Sequence, residues 1–171
     1  MTKYIFLDID GVLNSEHTWD QNSEHDASTI SDQYLENLRM IVEKTDAKLV
    51  LSSSWRVYFG ENINDPRNSL AINLVKSLAK HNLKLYSSTP FIKGEFSNER
   101  GLEIKTCIEQ HKITDYVIID DEEFSDFKTH LDMSRFIQTN FGDETTTIEN
   151  EGLNKKIAEK AIEILKGKSN D

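Results

Sequence analysis

The fold of this protein is decided by residues 3–14, which read KYIFLDIDGVLN. Four apolar residues, Tyr4 to Leu7, lead directly into the carboxylate of Asp8. A signal peptide or a membrane span needs a longer apolar run, so this stretch predicts a short buried strand. In an open parallel sheet, ligands bind where the chain leaves the carboxyl ends of the strands. The acids that follow this strand therefore lie where a binding site is expected.

Short apolar runs alternate with longer amphipathic stretches, which is typical of a parallel sheet covered by helices on both faces. We predict strands at residues 3–7, 48–51, 83–86, 116–119 and 135–138. Apolar residues at helical spacing predict helices over residues 31–44, from Asp65-Pro66 to about residue 82, after Ser97, and over residues 153–165. Right-handed crossovers then give an α/β fold, a doubly wound (Rossmann-like) parallel sheet of five strands.

Length, charge and cysteine content limit the domain count and the partners. The 171 residues suit one domain with a real core, and we expect one domain over residues 1–171 with a polar flap at about 15–30. Lys and Arg total 20 against 30 Asp and Glu, and the net charge of −10 argues against binding to nucleic acid or a membrane by bulk charge. A single cysteine, Cys107, favours a reducing compartment, and we expect the cytoplasm.

Two pairs of acids follow two of the predicted strands. Asp8 and Asp10 come after the first strand, and Asp120 and Asp121 come after the fourth. The first pair alone is also typical of a solvated turn or a helix cap, and the second pair after another apolar run makes that alternative weaker. Converging carboxylates repel each other unless a cation binds, and a hard divalent ion, Mg²⁺ above all, takes such oxygen ligands. We therefore predict a Mg²⁺ site formed by these four acids.

Hydroxyls and cations near the acids indicate a phosphate site. Ser52 and Ser53 follow the second strand, and the guanidinium of Arg56 suits phosphate oxygens. Arg100 stands at a predicted helix start, where the helix dipole disfavours a cation unless an anion lies nearby. We predict these four residues as phosphate-binding, with Lys93 as the alternative to Arg100 and a solvated surface position as the alternative for either cation.

Four segments, taken together and in order, resemble the four signatures of the haloacid dehalogenase (HAD) superfamily of phosphohydrolases. They are MTKYIFLDIDGVLN at residues 1–14, LVLSSS at 49–54, Arg100, and VIIDDEE at 117–123. Two longer matches, AKLVLSSSWR at 47–56 and RGLEI at 100–104, make the chain most similar to the small HAD domain of multidomain RNA-repair proteins. Polynucleotide 3′-phosphatases share a related arrangement.

This resemblance implies roles for individual residues. Asp8 would attack phosphorus and form an aspartyl phosphate, while Asp10 would protonate the leaving oxygen and then activate water. The Mg²⁺ would be held by Asp8, the backbone carbonyl of Asp10, and either Asp120 or Asp121. Ser52 would hold phosphoryl oxygens, Arg100 would stand for the usual third-signature lysine or arginine, and Arg56 would clamp the substrate as in the RNA-repair pattern. Gly11 would permit the tight turn after the acids.

The resemblance also bears on the substrate. Family members that act on small metabolites commonly carry a large cap domain, and residues 15–30 and 87–100 are too short for one. An open site suits a nucleic-acid end or a phosphoprotein, or a small substrate held by the flap, where His17, Trp19 and His25 could stack on a base or form a plain surface loop. The sequence thus predicts a Mg²⁺-dependent phosphomonoesterase acting on a nucleotide, a polynucleotide end or another phosphomonoester. The alternative is a phosphate-sensing or partner-binding module with little or no activity.

Overall fold

A five-stranded parallel sheet forms the centre of the protein. The structure is a computed structural model that describes residues 1–20, 29–94 and 99–167. Its strands lie in the order β3-β2-β1-β4-β5, and every neighbouring pair is parallel. They are β1 (Lys3–Leu7), β2 (Lys48–Leu51), β3 (Leu85–Ser88), β4 (Asp115–Asp120) and β5 (Phe136–Gln138). This order confirms the predicted doubly wound α/β fold.

Helices cover both faces of the sheet. They are α1 (Glu16–Asp20), α2 (Asp32–Thr45), α3 (Ser69–Lys80), α4 (Arg100–His111), α5 (Phe127–His130) and α6 (Lys155–Leu165), with short 3₁₀ helices at Ser54–Tyr58, Met133–Arg135 and Ile148–Asn150. The side chains of β1 alternate between the faces: Ile5 and Leu7 pack with α2, α3 and α6, and Phe6 packs with α4 and α5. All three are fully buried, so β1 lies in the middle of the core.

The sheet order places a crevice at the carboxyl end of β1. From β1 the chain moves outward through β2 to β3, then crosses back to β4 and continues to β5 on the other side. The direction of winding therefore changes between β1 and β4, which pair along their whole length from Lys3 and Asp115 to Leu7 and Ile119. Loops that leave neighbouring strands in opposite directions open a crevice, and this is where such sheets bind ligands.

Several predicted element boundaries differ from the structure, and two of these differences have a clear local cause. Strand β3 begins at Leu85 rather than at residue 83, because the N–H of Leu83 donates to the carbonyl of Leu78 and still closes the end of α3. Helix α3 begins at Ser69, capped by the Asn68 side chain, rather than at Asp65-Pro66. Pro66 instead pairs with Phe59 in an antiparallel bridge, which holds the chain before the helix in an extended turn.

The first part of the polar segment after β1 is helical rather than a loop or flap. Residues 16–20 form helix α1, and the side chains of Ser15 and Thr18 are buried. The Ser15 hydroxyl lies 3.0 Å from the Tyr34 hydroxyl of α2, which anchors this segment to the core. The expectation of a plain loop is therefore wrong for residues 15–20, whereas residues 21–28 lie outside the described part of the chain.

No second domain is inserted after β1 or β3 in the residues that the structure describes, as expected for a fold without a large cap. Within the same three ranges, none of the helices has the length and apolar character needed to cross a membrane.

Candidate active site

Three carboxylates converge at the carboxyl ends of β1 and β4. One oxygen atom from each of Asp8, Asp120 and Asp121 lies within 4.8 Å of the others. Asp8 directly follows β1 and Asp120 ends β4, so the pairing of these two strands sets their separation. Both side chains are buried, and Asp121 is half-buried. Strand pairing thus brings together acids that are more than a hundred residues apart in sequence.

Arg100 is the cation that contacts this cluster. Its Nη1 atom donates to Asp8 Oδ1 at 3.2 Å, to Asp120 Oδ2 at 3.0 Å and to the Ser52 carbonyl at 2.7 Å. Lys93, the alternative, is 65% exposed and its Nζ atom lies 2.7 Å from Glu99 Oε1. The structure therefore places Arg100, and not Lys93, among the acids.

Burial dominates the electrostatics of the cluster. It raises the pKa of Asp8 to about 6, although the Arg100 guanidinium and the Ser53 hydroxyl act in the opposite direction. Burial and the nearby Asp8 carboxylate also raise the pKa of Asp120 well above its usual value. Burial by itself would lower the pKa of Arg100, but the two carboxylates hold that pKa above its usual value. One guanidinium thus faces three acids, and the cluster is short of positive charge.

The N-terminus of helix α4 is capped by Asp126, a residue from the segment after β4. Glu99, at the N-cap position, makes no side-chain cap hydrogen bond. The Asp126 carboxylate instead accepts from the N–H groups of Gly101 and Leu102, at 3.1 and 2.9 Å. The ring of Phe124 lies 4.5 Å from the Arg100 guanidinium carbon. The segment after β4 therefore fixes both the start of α4 and the orientation of Arg100.

Asp10 stands apart from the three-acid cluster. Its Oδ1 atom accepts from Asn14 Nδ2 and its Oδ2 atom from Trp55 Nε1, both at 2.9 Å. Gly11, with a φ of +71°, makes the tight turn that follows. The carboxylate of Asp10 is thus oriented by two donors, and its predicted metal contact through the backbone carbonyl stays a prediction.

The two serines after β2 differ in how they are bonded. Ser53 caps the 3₁₀ helix by accepting from the Trp55 N–H at 3.3 Å, and its hydroxyl also bonds to Asp8. The Ser52 hydroxyl is buried and has no hydrogen-bond partner among the described residues. A buried hydroxyl without a partner is costly, so it indicates a ligand oxygen at this position.

Arg56 lies in a different environment from the one the phosphate-clamp prediction assumes. Its Nε atom donates to the Ser53 carbonyl at 2.8 Å, and its Nη1 atom donates to Thr89 and Pro90 after β3. Its Nη2 atom lies 2.8 Å from Glu103 Oε2 in a buried ion pair. Arg56 therefore joins the segments after β2 and β3 to α4. Because most of its donors are already used in these bonds, the geometry does not favour a direct contact between Arg56 and phosphate.

His17 and Trp19, predicted to lie in a flap, contact the segment between β5 and α6. His17 Nδ1 lies 2.6 Å from Glu151 Oε1, and the ring of Trp19 packs edge-on against Phe141 at 4.9 Å. Both contacts tie α1 to the loop that precedes α6. His25 lies outside the described residues.

The donor set fits a hard divalent cation. Carboxylate oxygens are the ligands that Mg²⁺ prefers. Burial raises the pKa of Asp8 and of Asp120 even though Arg100 acts in the opposite direction, so a bound cation would favour the ionised form of both side chains. Asp8, Asp120 and Asp121 are the residues that would hold the ion. Ser52 carries the unpartnered hydroxyl, and its backbone carbonyl accepts from the same Arg100 Nη1 atom as Asp8 and Asp120.

A doubly wound parallel sheet with an Asp-x-Asp motif after β1, a serine after β2, a cation at the start of α4 and acids after β4 defines a HAD-type domain. The sequence matches, over residues 4–146, the family described as the HAD domain in Swiss Army Knife RNA repair proteins, and the chain belongs to this family. Comparison with curated proteins and with solved structures gives no significant match.

Sequence reasoning missed four residues that shape the site. They are Asn14, Trp55, Glu103 and Asp126. Asn14 lies four residues after Asp10, and a turn brings residues at this spacing into contact. The local sequence could therefore have indicated this pair. The other three bond to partners that are 24 to 47 residues away in sequence. Only the tertiary structure shows such contacts.

Replacing Gly11 with alanine is expected to damage both the fold and the site. A Cβ atom at Gly11 would lie 2.5 Å from the Asp121 side chain, in a backbone conformation with a φ of +71°. Gly167 has a similar φ of +69° but nothing within 4 Å of its Cβ position, so Gly167→Ala is the matched control. We expect a loss of about 1–2 kcal/mol for the control and clearly more for Gly11→Ala, measured by urea unfolding. Equal losses would contradict the close approach of Asp121.

Breaking the Arg56–Glu103 pair is expected to destabilise the protein strongly. Glu103→Gln leaves a buried guanidinium without its counter-charge, which costs about 3–5 kcal/mol in unfolding free energy. Glu109→Gln is the control, because Glu109 lies on the same helix in an exposed pair with Lys105, and we expect no measurable change. The double variant Arg56→Met/Glu103→Leu should lose less unfolding free energy than the sum of the losses in Arg56→Met and in Glu103→Leu. Additive losses would show that the two side chains do not interact.

Proposed function

We propose that this protein is a Mg²⁺-dependent phosphomonoester hydrolase that works through an aspartyl-phosphate intermediate on Asp8. The observation that carries the proposal is the arrangement around this residue. Its buried carboxylate at a strand end accepts from Arg100 Nη1, which also donates to the carbonyl of Ser52, the residue whose buried hydroxyl has no partner among the described residues. Membership of a HAD family supports a hydrolase of this type. The acidic cluster is compatible with the metal that such chemistry uses.

The residues divide the reaction into two displacements. In the first, a carboxylate oxygen of Asp8 forms a bond to phosphorus while the bond to the leaving oxygen breaks, and Asp10 gives that oxygen its proton. In the second, the Asp10 carboxylate takes a proton from a water molecule that attacks phosphorus, and the bond between phosphorus and Asp8 breaks to release phosphate. With a pKa of about 6, Asp8 is mostly ionised at neutral pH, as a nucleophile requires.

The remaining residues bind and orient the phosphoryl group. Arg100 offers a guanidinium beside Asp8 and Asp120, and its charge opposes the charge that develops on the phosphoryl oxygens. Ser52 offers its hydroxyl to one of these oxygens. When bound, Mg²⁺ would supply a positive charge shared between the phosphoryl oxygens and the carboxylates. Arg56 contributes indirectly, because it fixes the loop that carries Ser52 and Ser53.

The substrate class we propose is the phosphorylated end of a nucleic acid, with a free nucleotide as the alternative. The family description, a domain of RNA repair proteins, supports this class. The net charge of −10 restricts how such a substrate binds, because a protein with this charge repels a long polyanion. Recognition is therefore confined to the terminal phosphate and its neighbours. We also propose that the protein acts in the cytoplasm, which its single free cysteine, the buried Cys107, supports.

Replacing the nucleophile is expected to abolish activity. Purified protein with Mg²⁺ should release phosphate from an aryl phosphate, and either EDTA or Asp8→Asn should reduce the rate by a factor of about a thousand or more. Asp115→Asn is the control, because Asp115 begins β4 at the opposite end of the strand from Asp120. It should keep the wild-type rate. If the wild-type protein releases no phosphate, or if Asp8→Asn keeps its activity, the chain is a binding module and the proposal is wrong.

A substrate panel tests the proposed class. We expect the highest kcat/KM for oligonucleotides with a terminal phosphate, compared with mononucleotides and phosphopeptides, with Asp8→Asn as the inactive control. Because only the end is recognised, a dinucleotide and a dodecanucleotide should give similar values, and log(kcat/KM) should fall with log[salt] with a slope of only about −1 to −2. A preference for mononucleotides would support the nucleotidase alternative, and a steep slope would indicate an extended polyanion site.

A further inference from the structure

Both oxygen atoms of the Asp10 carboxylate are held by side chains that no role in phosphate or metal binding explains. Asn14 Nδ2 donates to Oδ1 and Trp55 Nε1 donates to Oδ2, each at 2.9 Å. Trp55 is only 3% exposed, and Asn14 is fully buried. Asp10 itself is half-buried. A buried donor keeps one position, so it fixes the orientation of such a carboxylate more firmly than a mobile donor at the surface would.

Each donor is itself fixed in one orientation. The Asn14 side-chain oxygen accepts from the Gly11 N–H at 2.9 Å, so its amino group must face Asp10. The indole nitrogen of Trp55 can only donate. Its ring lies in the first turn of the 3₁₀ helix, capped by Ser53, and packs edge-on against Tyr58 at 6.0 Å. Neither donor can therefore turn away or exchange its role with Asp10.

We propose that Trp55, together with Asn14, is a positioning residue for proton transfer by Asp10. This inference rests on the proposed function, in which Asp10 gives a proton to the leaving oxygen as the phosphorus–oxygen bond breaks. The two N–H donors hold the plane of the carboxyl group so that it is already aimed when the substrate binds, which removes the cost of orienting it during the reaction. The Trp55 donor also links the acid to the segment after β2, which carries Ser52.

The dependence of rate on the leaving group distinguishes positioning from a general structural role. A 4-nitrophenolate leaves without needing a proton, whereas a phenolate benefits from protonation as its bond to phosphorus breaks. A variant with a misplaced Asp10 therefore slows phenyl phosphate hydrolysis more than 4-nitrophenyl phosphate hydrolysis. Because both rates come from the same preparation, any loss of folded protein cancels in their ratio.

The test uses Trp55→Phe, which keeps the ring and removes the N–H group. We expect kcat for phenyl phosphate to fall about tenfold or more relative to kcat for 4-nitrophenyl phosphate, with KM for both substrates little changed, since general acid catalysis contributes a factor of about 10² to 10⁴. Trp19→Phe is the matched control, because the Trp19 indole N–H has no hydrogen-bond partner within the described part of the chain. Its rate ratio should equal that of the wild type.

Asp10→Asn separates the failure of this inference from the failure of the proposed function. It should change the ratio in the same direction as Trp55→Phe and by more, and Trp55→Phe should add nothing in its presence. If Asp10→Asn changes the ratio but Trp55→Phe leaves it at the wild-type value, Trp55 does not position the acid, and the proposed function stands. The proposed function fails, and this inference fails with it, if Asp10→Asn leaves the ratio unchanged or if the wild-type protein hydrolyses neither aryl phosphate.

Discussion

The compensation of three crowded carboxylates by one guanidinium is the interaction on which the rest of the site depends. Asp8 and Asp120 are buried side by side because β1 and β4 pair in register, and Arg100 Nη1 donates to both. Burying like charges is costly unless they are paired, and one arginine is not enough for three acids. The remaining deficit of positive charge favours a divalent cation, which would also offset the charge of a phosphate group near Arg100.

The short segment after β2 connects this cluster to the rest of the protein. Residues 52–56 carry the unpartnered Ser52 hydroxyl, the Ser53 cap, the indole donor to Asp10 and the Arg56 guanidinium. Arg56 pairs with Glu103, one helical turn beyond Arg100, so the same segment also holds α4. One short segment therefore carries the groups proposed to bind phosphate and to orient the acid, and it is bonded to the helix that carries Arg100. Such mutual support is typical of a preorganised site.

The net negative charge of the chain is consistent with a phosphate substrate, because repulsion by surface charges and hydrogen bonds in the site act over different distances. Exposed charges repel a polyanion over about 8–10 Å at ordinary salt concentrations, whereas buried donors act at contact distance with little screening. In the proposed mechanism, Asp8, Asp10, Asp120 and Asp121 belong to the site rather than to the general surface charge. Arg100 and Ser52 would bind a terminal phosphate locally, while the net charge disfavours a long track for a polyanion along the surface.

The sequence by itself determined the parts of the protein that depend on local order. Apolar runs predicted β1 and β2 at their observed bounds, and Ser31, which accepts from the Tyr34 N–H, predicted the start of α2. The acids at strand ends were predicted too, because a parallel sheet gathers its carboxyl ends at one edge. Contacts between distant segments were decided only by the tertiary structure: the choice of Arg100 over Lys93, the pairing of Arg56 with Glu103, and the hold of Trp55 on Asp10. The physical reason is that periodicity and capping act over one or two helical turns, whereas a buried hydrogen bond depends on which elements the sheet order places side by side.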